Sequence, residues 1–218
     1  MVKKITLAMA MTLLSVPPLT ALAQINQPNT DDANSQSTIP LDDNNFSTYE
    51  NATLGLSIQY PSDWTTIEEH HEASNVIFIS PPSENNSDAS SAAVNVQITD
   101  LPLFPLSSPE GLSLENYTIS TIQLLTALNS SITELTPTSL RIGNDNHTAH
   151  KLVLSKLEGE EDQIMQQMQI YTIRDGKLYS IAYVAEASKY LVYLPTVEKM
   201  IDSFTVVIDN QESDEVAR

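Results

Sequence analysis

The side chains best suited to bind a ligand or do chemistry are concentrated in one short run, EEHHE, which begins at Glu68. If this run is a strand, Glu68, His70 and Glu72 lie on one face, whereas the neighbouring Glu and His lie on the other. Two carboxylates and an imidazole on one face could bind Zn²⁺ or Mn²⁺. The alternative is a solvated edge strand or loop, because the run contains no His pair at the i, i+4 spacing of a helical metal site. The pattern therefore predicts a divalent-cation site, with the solvated strand left open.

Two acidic loops offer the oxygen ligands that Ca²⁺ prefers. Neither ENNSDASS nor LEGEED has the Asp-x-Asp-x-Asp-Gly order of a calcium loop, and each is also explained as a solvated turn. Their oxygen donors are Glu84, Asn85, Asn86 and Asp88, and Glu158, Glu160, Glu161 and Asp162 around Gly159. His147 and His150 lie on opposite faces of a predicted strand, so they do not form a pair.

Catalytic motifs are absent from the sequence. It contains no Gly-x-Ser-x-Gly, no His-Glu-x-x-His and no glycine-rich phosphate loop, and it has only 5 Gly and no Cys. A general acid–base pair needs only proximity in space and leaves no sequence signature. We expect a protein that is not an enzyme, with a hydrolase of envelope material as a weak alternative.

The charge is strongly acidic and unevenly distributed. Asp and Glu number 28 against 10 Lys and Arg, and no Lys or Arg occurs between Lys4 and Arg141. Such a surface repels nucleic acid phosphates and attracts cations or a basic protein. The composition predicts no nucleic acid partner and favours docking on a basic face.

The N-terminus has the three parts of a secretory signal peptide. Lys3 and Lys4 precede an apolar run from Ile5 to Val16, and Ala21-Leu22-Ala23 supplies the small-x-small cleavage pattern. Residues 1–23 are predicted to be removed, which gives a secreted or cell-surface chain without a transmembrane span. A signal retained as an anchor is the alternative.

The composition divides the remainder into three parts. Residues 24–45 are polar and predict a disordered linker, 46–208 form the folded domain, and 209–218 are an acidic tail. Six Asn-x-Ser/Thr sequons are glycosylation candidates, namely Asn45, Asn51, Asn85, Asn116, Asn129 and Asn146.

Period-two patterns dominate the folded part and predict a sheet. The strongest signal is Asp175-Gly176 between two alternating runs, which predicts a two-residue hairpin turn. Both faces of these strands carry apolar residues, so the sheet should be covered on both sides.

Two stretches have helical spacing instead. Ser113 can cap the first helix, and Ser188 the second, in which Pro195 either opens the helix or kinks it. The residues predicted to face the core from the second stretch are Leu191, Leu194, Val197, Ile201 and Phe204. The expected fold class is α+β, with a central antiparallel sheet between helices.

Two segments at the ends of the domain carry a family resemblance. YENATLGLSIQYPSDW, with Tyr60, Pro61 and Trp64, resembles the entry of the PsbP-like family, and YLPTVEKMIDSFTV is similar to that family's closing helix and Ser-Phe strand. The resemblance covers residues 46–208. Independently of it, the sequence predicts that Tyr60 and Trp64 pack at the end of the core rather than stack on a ligand.

The resemblance implies an α/β/α sandwich and an extracytoplasmic domain that binds or stabilises partners without catalysis. The family's founding members act at the lumenal face of photosystem II, where they help to retain calcium and chloride, and a nuclear relative binds a small GTPase. The short signal and the linker without Lys or Arg depart from the photosynthetic pattern. Together with the sequons they favour an archaeal, non-photosynthetic member that docks on an envelope protein or complex.

Overall fold

The computed structural model describes residues 45–70, 74–83, 86–90, 92–101, 113–128, 130–158 and 163–207. Within these residues the strands are β1 (Phe46–Asn51), β2 (Leu56–Pro61), β3 (Thr65–His70), β4 (Ser74–Ile79), β5 (Pro82–Ser83), β6 (Asn86–Ser90), β7 (Ala92–Asp100), β8 (Ser131–Ile142), β9 (Asp145–Glu158), β10 (Gln163–Arg174), β11 (Lys177–Glu186) and β12 (Thr205–Val206). The helices are α1 (Leu114–Ala127) and α2 (Ala187–Ser203).

The main sheet has seven strands in the order β3-β4-β7-β11-β10-β9-β8, and every neighbouring pair is antiparallel. The predicted hairpin is confirmed, since Arg174 pairs with Lys177 across the turn. Asp175 and Gly176 have φ of 49° and 72°, as a type I′ turn requires at both of its central residues.

Each face of this sheet is covered by a helix, which confirms the α+β class. On one face the large core includes Val94, Val153 and Ile181, packed with Tyr190 and Val197 of α2. On the other face, which we call the α1 face, Tyr117 and Leu125 of α1 pack on four buried residues of the sheet. Those four residues are Leu152, Leu154, Tyr171 and Leu178. A further apolar cluster on the α1 face contains Ile77, Ile79, Ala93, Met165 and Val184.

Two features were not expected from the sequence. A second sheet, in the order β1-β2-β12, joins the two ends of the domain and lies on the same side as α2, where Tyr49 and Tyr60 contact Phe78. The other is β8, an edge strand with Pro137 in its interior. Proline is tolerated there because an edge strand leaves some N–H groups without a ladder partner.

The helix starts were predicted with mixed success. Ser113 caps α1, because its Oγ accepts a hydrogen bond from the Asn116 N–H at 3.1 Å. The expected Ser188 cap is wrong, since α2 begins at Ala187 and its N-cap residue, Glu186, makes no side-chain capping bond. Pro195 lies inside α2 rather than at its start.

Candidate functional site

Two of the predicted metal residues, Glu68 and His70, fall on β3, an edge strand of the main sheet. The Glu68 carboxylate lies near the Tyr49 hydroxyl, whose pKa is raised by burial; the hydrogen bond from Asn51 opposes the rise and Glu68 adds to it. Glu68 therefore already contacts a neutral phenol. The side chain of His70 and the whole of Glu72 lie outside the described residues.

A metal site can be assessed only in the described part of the chain. There, no group of three or more His, Cys, Asp or Glu side chains has a metal-binding arrangement. All the oxygen donors named for the two acidic loops also fall outside that part or have undescribed side chains. The cation site at Glu68, His70 and Glu72 stays a prediction.

The glycosylation candidates differ in their surroundings. Asn45, Asn116 and Asn146 are exposed, and Asn85 and Asn129 lie outside the described residues. Asn51 is half-buried, and its Nδ2 donates to the Tyr49 hydroxyl at 3.3 Å while its Oδ1 accepts from the Leu54 N–H at 3.1 Å. A glycan on Asn51 would compete with the first of these bonds.

The three residues of the opening motif have packing positions: Trp64 belongs to the large core, the half-buried Tyr60 packs against it, and Pro61 is buried. Trp64 is buried with its ring centroid 6.0 Å from that of Tyr193 on α2, and the Tyr60 centroid lies 4.8 Å from that of Phe78. The Pro61 carbonyl accepts a hydrogen bond from the Trp64 N–H at 3.0 Å, which closes the turn. Their role in this structure is packing, as expected from the sequence.

One histidine is part of a buried hydrogen-bonded group between α1 and the sheet. The Thr118 hydroxyl donates to the Leu114 carbonyl at 2.8 Å, accepts from the Tyr171 hydroxyl at 3.1 Å, and lies 2.7 Å from His150 Nδ1. With the Thr118 proton on the Leu114 carbonyl, the tautomer of His150 that fits this group is the one in which Nδ1 donates to Thr118. The group fastens α1 to the sheet.

The other described histidine has a similarly structural position. His147 Nε2 contacts the Arg174 guanidinium, which also donates to the Ile142 carbonyl at 3.3 Å and to the Asp175 carboxylate at 3.0 Å. The group holds two hairpins together at one end of the sheet. The two histidines lie on opposite faces, as predicted, and share no site.

The outer face of α2 has large apolar side chains that do not pack on the domain. Leu191 and Val192 are 74% and 48% exposed, and Pro195, Glu198 and Asp202 are also exposed. Positions 191, 195, 198 and 202 follow the i, i+4, i+7, i+11 spacing of a single helical stripe. We call Leu191, Val192, Pro195, Glu198 and Asp202 the α2 outer face. It is apolar over its N-terminal half and acidic over its C-terminal half.

The charge of this face is unfavourable for the isolated helix. Asp202 lies in the last turn of α2, which has no basic residue, and a carboxylate at the negative end of the helix dipole costs about 0.3–1 kcal/mol. Neither Glu198 nor Asp202 forms an ion pair with another described residue. The nearby Lys199 places its Nζ 3.9 Å from the centroid of the Phe46 ring. A cation from outside the domain would relieve this strain.

Sequence reasoning placed Leu191 in the core, and this was wrong. The buried positions of α2 are Tyr190, Val197 and Met200, and Leu191 lies about 100° around the helix from Tyr190. Tyr190 is the residue from which the exposure of Leu191 could have been predicted, since a helix that buries Tyr190 and Val197 directs Leu191 outward. The aliphatic spacing alone groups Leu191 with Leu194 and Val197.

One of three similar solved structures supports the fold. The solution structure of cyanobacterial PsbP from Synechocystis sp. PCC 6803 matches with a TM-score of 0.52 and 14% identity, over 78% of this chain and 97% of that one. The Saccharomyces cerevisiae Ran-binding protein Mog1p matches with a TM-score of 0.46 and 12% identity, over 75% and 96% of the two chains. LpqN of Mycobacterium tuberculosis, described as involved in cell envelope biogenesis, matches with a TM-score of 0.43 and 11% identity, over 75% and 91%.

Comparison at the sequence level gives the family. A search of curated protein sequences finds no match to this chain. Within the described residues, neither helix is long and apolar enough to cross a bilayer. The family profile described as PsbP-like protein matches residues 5–206, which is most of the chain. The chain therefore belongs to the PsbP-like protein family.

Proposed function

We propose that this protein is an extracytoplasmic, non-catalytic module that docks on a basic face of an envelope protein or complex and stabilises it. The N-terminal signal pattern supports export, and with the sequons it favours a secreted or surface-held archaeal member. The observation that carries the docking proposal is the α2 outer face, which combines exposed apolar side chains with two carboxylates that lack an ion pair among the described residues.

The chemistry of this face specifies its partner. Exposed Leu191 and Val192 would contact an apolar side chain, and Glu198 and Asp202 would pair with Lys or Arg about two turns along the helix. Electrostatic attraction of this kind mainly raises the association rate and sets the register of binding. Apolar burial then supplies affinity at the centre of the contact. The occupant is thus a protein surface with basic residues beside an apolar anchor.

The test is capture of partners from a native envelope extract with the immobilised full chain. Burying the exposed 74% of Leu191 should contribute about 1–2 kcal/mol, so Leu191→Ser should weaken binding roughly 5- to 30-fold. The double variant E198Q/D202N should remove much of the salt dependence. The matched control is Ile119→Ser, since Ile119 is 47% exposed on α1 and belongs to the opposite side of the sheet.

Three results would contradict the proposal. Equal capture by the native chain, the α2 variants and the Ile119 variant would exclude the α2 outer face as the docking site. Concentration-dependent self-association that is lost in Leu191→Ser would make a second copy of the chain the occupant. Captured proteins whose contact surface is acidic would also contradict the predicted chemistry.

A further inference from the structure

Four of the six Asn-x-Ser/Thr sequons lie among the described residues, and the fold treats them differently. They are the sequons at Asn45, Asn51, Asn116 and Asn146. A sequon is a pair of side chains, because the sugar is attached to the Asn amide while the Ser or Thr two residues later completes the acceptor motif. A folded chain therefore offers an acceptor only where both side chains are exposed. The attached group is also bulky, so the Asn must have no packing role.

Secondary structure decides whether the two side chains of a sequon lie together. In a strand, residues i and i+2 point to the same face, and Asn146 and Thr148 of β9 are both exposed. In a helix, the same two positions are about 200° apart. Asn116 of α1 is accordingly exposed, whereas Thr118 is only 3% exposed. The motif at Asn146 is thus presented as a pair, and the motif at Asn116 is divided between the two sides of a helix.

The other described sequons each have a side chain that is already engaged. The Thr118 hydroxyl belongs to the hydrogen-bonded group that fastens α1 to the sheet. Asn51 is half-buried and uses both atoms of its amide in hydrogen bonds within the domain. Ser47, which follows Asn45, is half-buried, and its Oγ lies 2.8 Å from the Oγ of Ser62. Among the described sequons, only Asn146 combines an exposed amide with an exposed hydroxyl.

The surroundings of Asn146 leave room for a large group. Asn146 lies beside the tip of the β8–β9 hairpin, where Ile142 pairs with Asp145 around Gly143. A Cβ added to Gly143 would meet nothing within 4 Å, so the tip projects into open space. Asn146 pairs with Arg141, which is exposed on the edge strand β8. A glycan on Asn146 can extend past this edge of the sheet without displacing a buried side chain.

We propose that Asn146 is an N-glycosylation site of the exported chain. The co-substrate is a sugar carried on a lipid phosphate. The Asn146 Nδ2 forms a C–N bond to the anomeric carbon of the sugar, and the bond from that carbon to the phosphate oxygen breaks, with its electron pair leaving on the phosphate. The proton lost from Nδ2 passes to a base of the transferase. The inference rests on the export that the proposed function includes.

The position of this glycan is compatible with docking through α2. Alternation along β9 places Asn146 and Thr148 on the same face as Leu152, which is the α1 face. The α2 outer face belongs to the opposite side of the sheet. Glycosylation at Asn146 would therefore leave the α2 outer face accessible to a partner protein.

The test is mass spectrometry of the full chain purified from the cells that produce it. Trypsin cuts after Arg141 and Lys151, which releases residues 142–151 with Asn146 as their single sequon. The other five sequons precede Arg141. Fragment spectra should show a sugar on Asn146 and none on Asn51 or Asn116. The intact mass shows separately whether residues 1–23 have been removed, so failure of export is distinguished from failure of glycosylation.

Substitutions at exposed positions test whether the sequon directs the modification. Thr148→Ala should abolish the sugar although Asn146 is still present, and Thr148→Ser should retain it. The matched control is Asn116→Gln, which should leave the glycan mass unchanged because Asn116 is exposed but lacks an exposed hydroxyl partner. An unmodified 142–151 peptide would overturn the proposal, whether or not the signal has been removed. So would a sugar on Asn51 or Asn116, or one on Asn146 that survives Thr148→Ala. None of these outcomes decides whether the α2 outer face binds a partner.

Discussion

Gly55 provides a sharp test of how the two ends of the domain are joined. Its φ is +62°, a region that L-residues enter at a cost of about 1–2 kcal/mol. A Cβ at this position would lie 2.2 Å from the Val207 carbonyl oxygen. Because the contact is with backbone, no side-chain rotation can relieve it. Gly55→Ala should therefore separate the end of β12 from the turn before β2.

The expected loss can be built from the bonds that would break. The Val207 N–H donates to the Gly55 carbonyl at 2.8 Å, and one such bond contributes about 0.5–1.5 kcal/mol. Partial exposure of Val206, which is 3% exposed in the native fold, should add about 1–2 kcal/mol. With the backbone cost, the total is about 3–5 kcal/mol, or roughly 10 °C in the unfolding midpoint.

The matched control is Gly176→Ala. Gly176 has φ of +72° and nothing within 4 Å of an added Cβ, so only the backbone cost of about 1–2 kcal/mol applies. Both variants can be compared by chemical denaturation followed through the single Trp, which is buried in the native fold. Equal losses for the two variants would refute the close approach of Val207 to Gly55, and with it the reasoning on β12.

Three further predictions concern α1, alkaline pH and metal ions. Thr118→Val should lower the free energy of unfolding by about 1–3 kcal/mol in denaturant titration, because the Tyr171 hydroxyl and His150 Nδ1 lose their shared hydrogen-bond partner. Thr118→Ser keeps the hydroxyl and should retain most of the stability, and similar losses for both variants would contradict this. Burial raises the pKa of Tyr190 from 10.0 to about 12, so its contribution to stability is complete below pH 10 and is lost as the pH rises toward 12. A pH series of unfolding midpoints should show a smaller alkaline loss for Tyr190→Phe than for the native chain. Identical pH profiles of the two proteins would contradict this. If Glu68, His70 and Glu72 bind a divalent cation, Zn²⁺ or Mn²⁺ at a hundred times its dissociation constant should stabilise the full chain by about 2.7 kcal/mol at fixed ionic strength. His70→Ala should abolish this stabilisation. Stabilisation that survives the substitution would place the metal elsewhere.

Much of the fold follows from local patterns. The Asp175-Gly176 turn was predictable because only a few residue types accept positive φ at both central positions. The Ser113 cap was predictable because a hydroxyl before a helix satisfies a free backbone N–H. The strand β8 was not predicted, since Pro137 and repeated Ser and Thr hide its alternation, and its place at the sheet edge is what permits them.

The surroundings of individual side chains were much less accessible to sequence reasoning. Leu191 fitted a helical period but not the phase that packing selects, so its exposure was missed. Asn95 stands between valines in a clean alternating run, which indicates a side chain on the opposite face but not that this face is buried. Glu68 and His70 lie on an edge strand, yet no alternation pattern can tell whether a carboxylate such as Glu68 contacts a metal or a tyrosine hydroxyl.

The sequence by itself determined the properties that depend on near neighbours or on totals: the acidic charge, the lack of thiol chemistry, the alternating strands, the hairpin and the family motif around Trp64. Only the tertiary structure decided which side of α2 is left exposed and which polar side chains are buried on the α1 face. The physical reason is that a side chain is buried only when a second surface packs against it. The partner surface comes from residues far away in the chain, as when β12 returns to β2 or Asn95 meets Ala182 across the sheet.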